Sequence, residues 1–220
     1  FFNAFNRVLY PLLSTAIDDV KLRRVYSQLI RIIVFIVTPF LLFLAIIAEP
    51  FFRSLLTEKW LPAVPYFQLL ILSGIFYPIQ NYNQNICNIK GRSDIVLKLS
   101  SMNNLLLIIG AASCIWYGIY GLLISLVVVN FLTALVTSYF SGRLINYKLA
   151  NQMSDIVPIL VLNFAIGLSL LIVHNLLISR YPDNYQILII AIIHVISYFG
   201  IAILFRMTVV RDLVELMKKR

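Results

Sequence analysis

The chain has 220 residues, of which 61% are apolar and only 12% charged, with 18 Lys and Arg against 9 Asp and Glu and a net charge of +9. A soluble domain averages roughly 45–50% apolar and about 25% charged, so this composition excludes a water-facing fold, and it is too apolar for a disordered, collagen-like or coiled-coil chain. What remains is a polytopic membrane protein, in which a basic balance reads as loop charge and not as a nucleic-acid surface.

Residues 1–13 read as the end of an apolar helix that begins without Met or a basic leader, which predicts a fragment of a longer protein. Asp18, Asp19, Lys21, Arg23, Arg24 and Arg31 then form a charged entry to the first complete span, about 32–52. A second span is expected over 62–86. The 44 residues of 99–142 carry no charge, too many for one crossing of about 20 residues, and the Gly118-Ile119-Tyr120-Gly121 turn signal divides them into spans 99–117 and 122–141. Two more are expected over 156–179, with Pro158 in its first turn, and 185–205. The tail, 206–220, spaces Val209, Val210, Leu213, Leu216 and Met217 among basic residues, as in an amphipathic helix lying on a membrane surface. Lipid admits only helices and closed barrels, and the alternating pattern of a barrel is absent. The predicted fold is therefore all-α: six complete transmembrane helices after the end of a preceding one.

Charge orients the bundle. Fifteen of the 18 Lys and Arg fall on one side of these spans, and only Arg53, Lys59 and Arg180 on the other. The positive-inside rule places both ends in the cytoplasm, which an even number of spans requires. Trp60, Trp116, Tyr117, Tyr120, Tyr181 and Tyr185 then stand at outer ends, where interfacial rings belong.

No HExxH motif, intramembrane carboxylate pair or Gly-rich phosphate loop is present, and Cys87 and Cys114 have no metal-ligand spacing. No cofactor or metal is implied, and the chain reads as a non-enzyme. The polar signal lies inside the second span, in the run 77–85. Tyr77, Asn81, Gln84 and Asn88 fall along one helical stripe with Gln80 beside it. Amides suit hydroxyl-rich sugars; they also glue helices together in lipid, and the far end of the run could emerge into water. Asn130 and Asn163 are single amides within spans, and His194 is the deepest ionisable side chain, read either as a proton-responsive group or as a neutral hydrogen-bonding one. Pro39 and Pro78 lie inside spans and are candidate kinks or hinges. Arg7, Arg23, Arg24, Lys90, Arg92 and Arg143 rim the cytoplasmic side, as topology determinants or as contacts for anionic headgroups.

Four strings carry a resemblance. They are Asn6-Arg7-Val8-Leu9-Tyr10-Pro11-Leu12-Leu13-Ser14 with Leu22-Arg23-Arg24-Val25-Tyr26, then Ala48-Glu49-Pro50, then Glu58-Lys59-Trp60-Leu61-Pro62-Ala63-Val64-Pro65, and last Tyr77-Pro78-Ile79 with Asn88-Ile89-Lys90-Gly91-Arg92-Ser93-Asp94. In order and spacing over residues 6–98 they resemble the C-terminal half of bacterial polysaccharide and O-antigen flippases, in the superfamily that includes the MATE exporters. The resemblance implies that residues 1–220 are the C-terminal lobe of a two-lobe transporter of the inner membrane. It implies movement of undecaprenyl-diphosphate-linked oligosaccharide between leaflets, with a polymerase and glycosyltransferases as partners. Tyr77, Gln80, Asn81, Gln84 and Asn130 would face the substrate cavity. Arg7, Lys90 and Arg92 would meet the pyrophosphate, and His194 would be a coupling candidate. A MATE-type antiporter and a membrane-embedded polyprenyl-lipid transferase stay open beside it.

Overall fold

The computed structural model describes residues 19–218, with side chains over 20–178 and 180–214. Every regular element among them is helical. In chain order they are α1 (Asp19–Ile46), α2 (Ala48–Leu56), a 3-10 turn (Glu58–Ala63), α3 (Val64–Gly74), α4 (Tyr77–Ile89), α5 (Ser93–Cys114), a 3-10 turn (Ile115–Tyr117), α6 (Gly118–Leu144), α7 (Leu149–Leu176), a 3-10 turn (Ile178–Arg180), α8 (Asp183–Leu204) and α9 (Thr208–Lys218).

Prolines set several of these boundaries. A proline offers no N–H to the carbonyl four residues back. Pro50 leaves the Ile46 carbonyl without its bond, and α1 ends at Ile46 with α2 starting at Ala48. Pro78 does the same to Gly74, where α3 ends. The second expected span is therefore two helices, and Pro78 stands in the first turn of α4 instead of kinking a helix interior. Pro39 behaves differently, because α1 continues through it. Pro158 lies well inside α7 and not in a first turn.

Other boundaries also move. The charged entry is helical, so α1 begins at Asp19, while residues 48–52 belong to α2. The turn between the two charge-free spans sits at Ile115–Tyr117, followed by Gly118 at φ 64°, a conformation glycine adopts without strain. Among the described residues five stretches are long and apolar enough to cross a membrane, and the longest, Ser93–Leu144, folds back at that turn to make two. The protein is a multi-pass, all-α membrane bundle.

The chain divides into two compact units. The first comprises residues up to Ile33 with Phe76–Ile156, and the second Val34–Ile75 with residues from Val157 onward. In the first unit α5 and α6 form an antiparallel hairpin, tied by the Thr133 hydroxyl donating to Asn103 Oδ1 at 2.8 Å. Helix α4 packs on α6, where the Phe76 and Phe131 rings meet 5.4 Å apart. In the second unit the later part of α1 packs with α7 and α8, the Phe35 and Tyr198 rings lying 4.7 Å apart. A smaller apolar cluster of Ala48, Phe52 and Val64 seats α2 beside α3. Arg53 joins it to α8, reaching Glu49 at 2.7 Å and Asp183 at 3.3 Å. In α9, Val209 and Asp212 are buried, so the tail helix turns one face into its unit.

Candidate functional site

The first unit holds most of the expected polar positions. On α4, Ile79, Tyr82, Asn83, Ile86 and Cys87 are buried. The stripe of Tyr77, Asn81, Gln84 and Asn88 lies on the less buried side, with Tyr77 53% exposed and the three amides half-buried. Gln80 is turned inward and its Nε2 donates to the Asn130 carbonyl of α6 at 2.8 Å. Two candidate residues are thus brought together, through the backbone of one of them. Arg92 is held by a two-pronged pair with Asp94, both contacts at 2.9 Å, in the turn that caps α4. Lys90 is half-buried beside it. Arg7 lies outside the described residues.

The densest polar cluster sits one residue away from the expected stripe. Asn83 is fully buried. Its Oδ1 accepts the Tyr26 hydroxyl of α1 at 2.7 Å and also the Ser141 hydroxyl of α6. Its Nδ2 donates to Ser138 Oγ at 2.9 Å and to the Ile79 carbonyl at 2.7 Å. Gln152 of α7 extends the network, donating to the carbonyls of Ser138 at 2.9 Å and Tyr147 at 3.1 Å. Three helices, α1, α4 and α6, therefore meet on one amide, with α7 joined through Gln152, and each polar atom of the amide is satisfied, the condition under which a buried polar group does not destabilise a bundle.

Next to this network lies an ion pair. Asp155 accepts Arg31 Nη1 at 2.9 Å, the Ser27 hydroxyl at 2.6 Å and the Tyr147 hydroxyl. Arg31 also donates to Ser27 Oγ at 2.6 Å. Asp155, which stands alone in the sequence, is thus fully engaged across α1 and α7. Tyr147 lies in the connection between spans, and burial, followed by its bond to Asp155, pushes its phenol up to about 12.

In the second unit, two positions with separate expected roles are bonded to each other. His194 Nε2 lies 3.1 Å from the Pro39 carbonyl, which can only accept, so Nε2 carries the proton. One turn on, the Tyr198 hydroxyl donates to the Phe35 carbonyl at 2.9 Å. That carbonyl is the one Pro39 deprives of its backbone donor, so a side chain of α8 supplies the bond that α1 loses at this proline. Asn163 bridges from α7, donating to Thr38 Oγ1 at 2.9 Å. Asn163 therefore serves as an interhelical hydrogen-bonding amide. Among the described residues no group of three His, Cys, Asp or Glu is placed to hold a metal.

Comparison with known proteins follows the same lines. Residues 1–65 match a family model described as polysaccharide biosynthesis protein. The chain is 31% identical over 136 residues to an uncharacterized membrane protein in the cps region of Klebsiella pneumoniae, covering 61% of this chain and 28% of that protein. It is 31% identical over 103 residues to the lipopolysaccharide biosynthesis protein WzxC of Escherichia coli, covering 46% and 21%. It is 27% identical over 90 residues to the teichuronic acid biosynthesis protein TuaB of Bacillus subtilis, covering 40% and 19%. The chain resembles polysaccharide-biosynthesis membrane proteins. The matched stretches span less than a third of each of these relatives, and no solved structure matches.

The resemblance read from the four strings is upheld by these matches. What sequence reasoning missed was Asn83 and its partners. The signal was available only in part. Tyr26 stands in a string already singled out, and Ser138 and Ser141 sit three apart on α6. Nothing local, however, pairs them with an amide more than 50 residues away.

Proposed function

We propose that the chain is the C-terminal lobe of a lipid-linked oligosaccharide flippase of the bacterial inner membrane. It moves undecaprenyl-diphosphate-linked oligosaccharide from the inner to the outer leaflet for surface polysaccharide assembly, with both ends in the cytoplasm. The observation that carries this reading is the pair of relatives named for teichuronic acid and lipopolysaccharide biosynthesis. The residue chemistry is compatible with it: amides and hydroxyls inside the bundle, and the Asp155 carboxylate already occupied by Arg31.

The physical task is to carry a sugar–diphosphate headgroup past hydrocarbon while the polyprenyl tail stays in the bilayer. A polar groove substitutes for headgroup hydration, and rocking of two lobes opens it to each side in turn. In this scheme Tyr77, Asn81 and Gln84 offer their open face to sugar hydroxyls, with Gln80 and Asn130 behind them. Lys90 and Arg92, with Arg7, attract the pyrophosphate. The α3–α4 break at Pro78 and the braced proline at Pro39 are the flexible points, and His194 is the group placed to sense coupling. No covalent chemistry is required, so the protein is a transporter that works with glycosyltransferases and a polymerase.

The test uses the full-length protein. Asn81→Leu and Gln84→Leu each lower surface polysaccharide while protein abundance in the membrane is unchanged, and lipid-linked oligosaccharide accumulates on the inner leaflet. Normal surface polysaccharide in both variants would sink the sugar-contact assignment. Absence of any lipid-linked intermediate in a deletion strain would sink the flippase reading itself.

A further inference from the structure

We infer that the first unit carries a binding site for the phosphate group of an anionic phospholipid, at the end where α1 begins and α6 passes into α7. The inference is independent of the flippase reading.

Two hollows adjoin there and share Tyr147. One, of about 370 Å³, is lined by Arg23, Arg24, Ser27, Asn151 and Asp155 among others. The other, of about 380 Å³, is lined by Tyr139, Arg143, Asn146 and Lys148 among others. Arg23, Arg24, Arg143 and Lys148 are all exposed. Among the described residues the only carboxylate lining either hollow is Asp155, and its oxygens already accept Arg31, Ser27 and Tyr147. Four cations therefore face hollows with no free counter-charge among the described lining residues.

The cations are also positioned. The α6–α7 connection is pinned by the Tyr147 N–H donating to the Gly142 carbonyl at 2.8 Å and by Gln152 holding the Tyr147 carbonyl. Arg23 Nη1 lies 3.4 Å from the Asn146 carbonyl, and the Arg143 guanidinium stands 5.7 Å from the centre of the Tyr139 ring. Asn146 takes a left-handed φ of 51°, which asparagine tolerates better than most residues. Orienting a bundle requires only that Lys and Arg be plentiful in a connection. It does not require residues more than 100 positions apart to converge on one concave surface. Convergent guanidinium and ammonium groups at the mouth of a bundle are what a phosphodiester in the headgroup layer would be drawn to.

The experiment measures lipid retained by the purified full chain in native mass spectrometry. Phosphatidylglycerol and phosphatidylcholine are offered separately, with inorganic phosphate and pyrophosphate as competitors. The expected result is preferential retention of phosphatidylglycerol, weakened roughly tenfold in the Arg23→Gln/Lys148→Gln double variant. Retention is unchanged in Lys98→Gln, which removes an exposed cation of α5 outside both hollows. Loss of phosphatidylglycerol to soluble phosphate or pyrophosphate identifies a phosphate site whose occupant is not lipid-borne, and overturns the lipid assignment. Equal retention of both lipids, or an equal loss in Lys98→Gln, overturns the site. Should the double variant misfold, Arg143→Gln alone gives the same reading.

Discussion

The Tyr198 hydroxyl donates at 2.9 Å to the Phe35 carbonyl, the acceptor in α1 that Pro39 leaves without a helical partner. A side chain of α8 thus completes the backbone ladder of α1. Tyr198→Phe is expected to lower stability by about 1–2 kcal/mol. In a Pro39→Ala background the alanine N–H can serve Phe35, and the same substitution should then cost less. Thermal unfolding of the four proteins in detergent measures the difference. Equal losses in both backgrounds would rule out the ladder role.

Asn83 is expected to matter more for stability than any other amide of α4. Asn83→Ala strips partners from Tyr26, Ser138 and Ser141, all fully buried. A buried polar group left unpaired costs about 1–3 kcal/mol. The variant should unfold at a lower temperature and accumulate less in the membrane. Gln84→Leu, on the more open side of the same helix, should do neither.

The Arg31–Asp155 pair should show strong coupling. Removing one partner leaves a partly buried charge without its counter-ion, whereas removing both removes the problem. Arg31→Met and Asp155→Leu singly should each destabilise more than the two combined. An additive double variant, judged by unfolding temperature, would show that the charges do not depend on each other.

Tyr147 adds a pH signature to that cluster. Its phenol is raised from 10.0 to about 12, chiefly by burial and then by its bond to Asp155. A raised value means the folded state prefers the protonated form. The contribution is complete below pH 10 and is lost as pH rises toward 12. Tyrosinate absorbance at high pH should lose one phenol in Tyr147→Phe, and an unchanged titration would contradict the assignment.

Gly142 is expected to resist substitution. A Cβ there would sit 2.3 Å from the Tyr147 carbonyl oxygen and 2.6 Å from Gln152 Nε2. Gly142→Ala must displace backbone in the α6–α7 connection, so it should lower the unfolding temperature more than Gly200→Ala, where nothing lies within 4 Å.

The helical class, the spans and the hairpin turn were legible in the sequence because hydropathy and charge are local properties that lipid makes decisive. The proline signals were legible as well, but not their outcomes. Pro39, Pro50 and Pro78 look alike in sequence, yet α1 continues through the first, where Tyr198 serves the freed carbonyl, while a helix ends before each of the other two. The polar stripe of α4 was found with the right period. Its buried neighbour Asn83 was not singled out, because its partners come from α1 and α6. Asp155 looked isolated for the same reason: Arg31 is 124 residues away in the chain.

The hairpin of α5 and α6 bears on how this protein enters a bilayer. From residue 99 to residue 142 no ionisable acid or base must be carried across, and the connection itself presents Trp116 and Tyr117, 90% and 77% exposed. In the orientation proposed above, the connection around α2 instead takes Glu49, Arg53, Glu58 and Lys59 across the bilayer. Delivering charged groups costs about 2.5–3.5 kcal/mol each on insertion scales, while aromatic rings gain at the far interface. In that orientation the hairpin can insert as one unit during synthesis, whereas the α2 connection must carry four charged side chains with it.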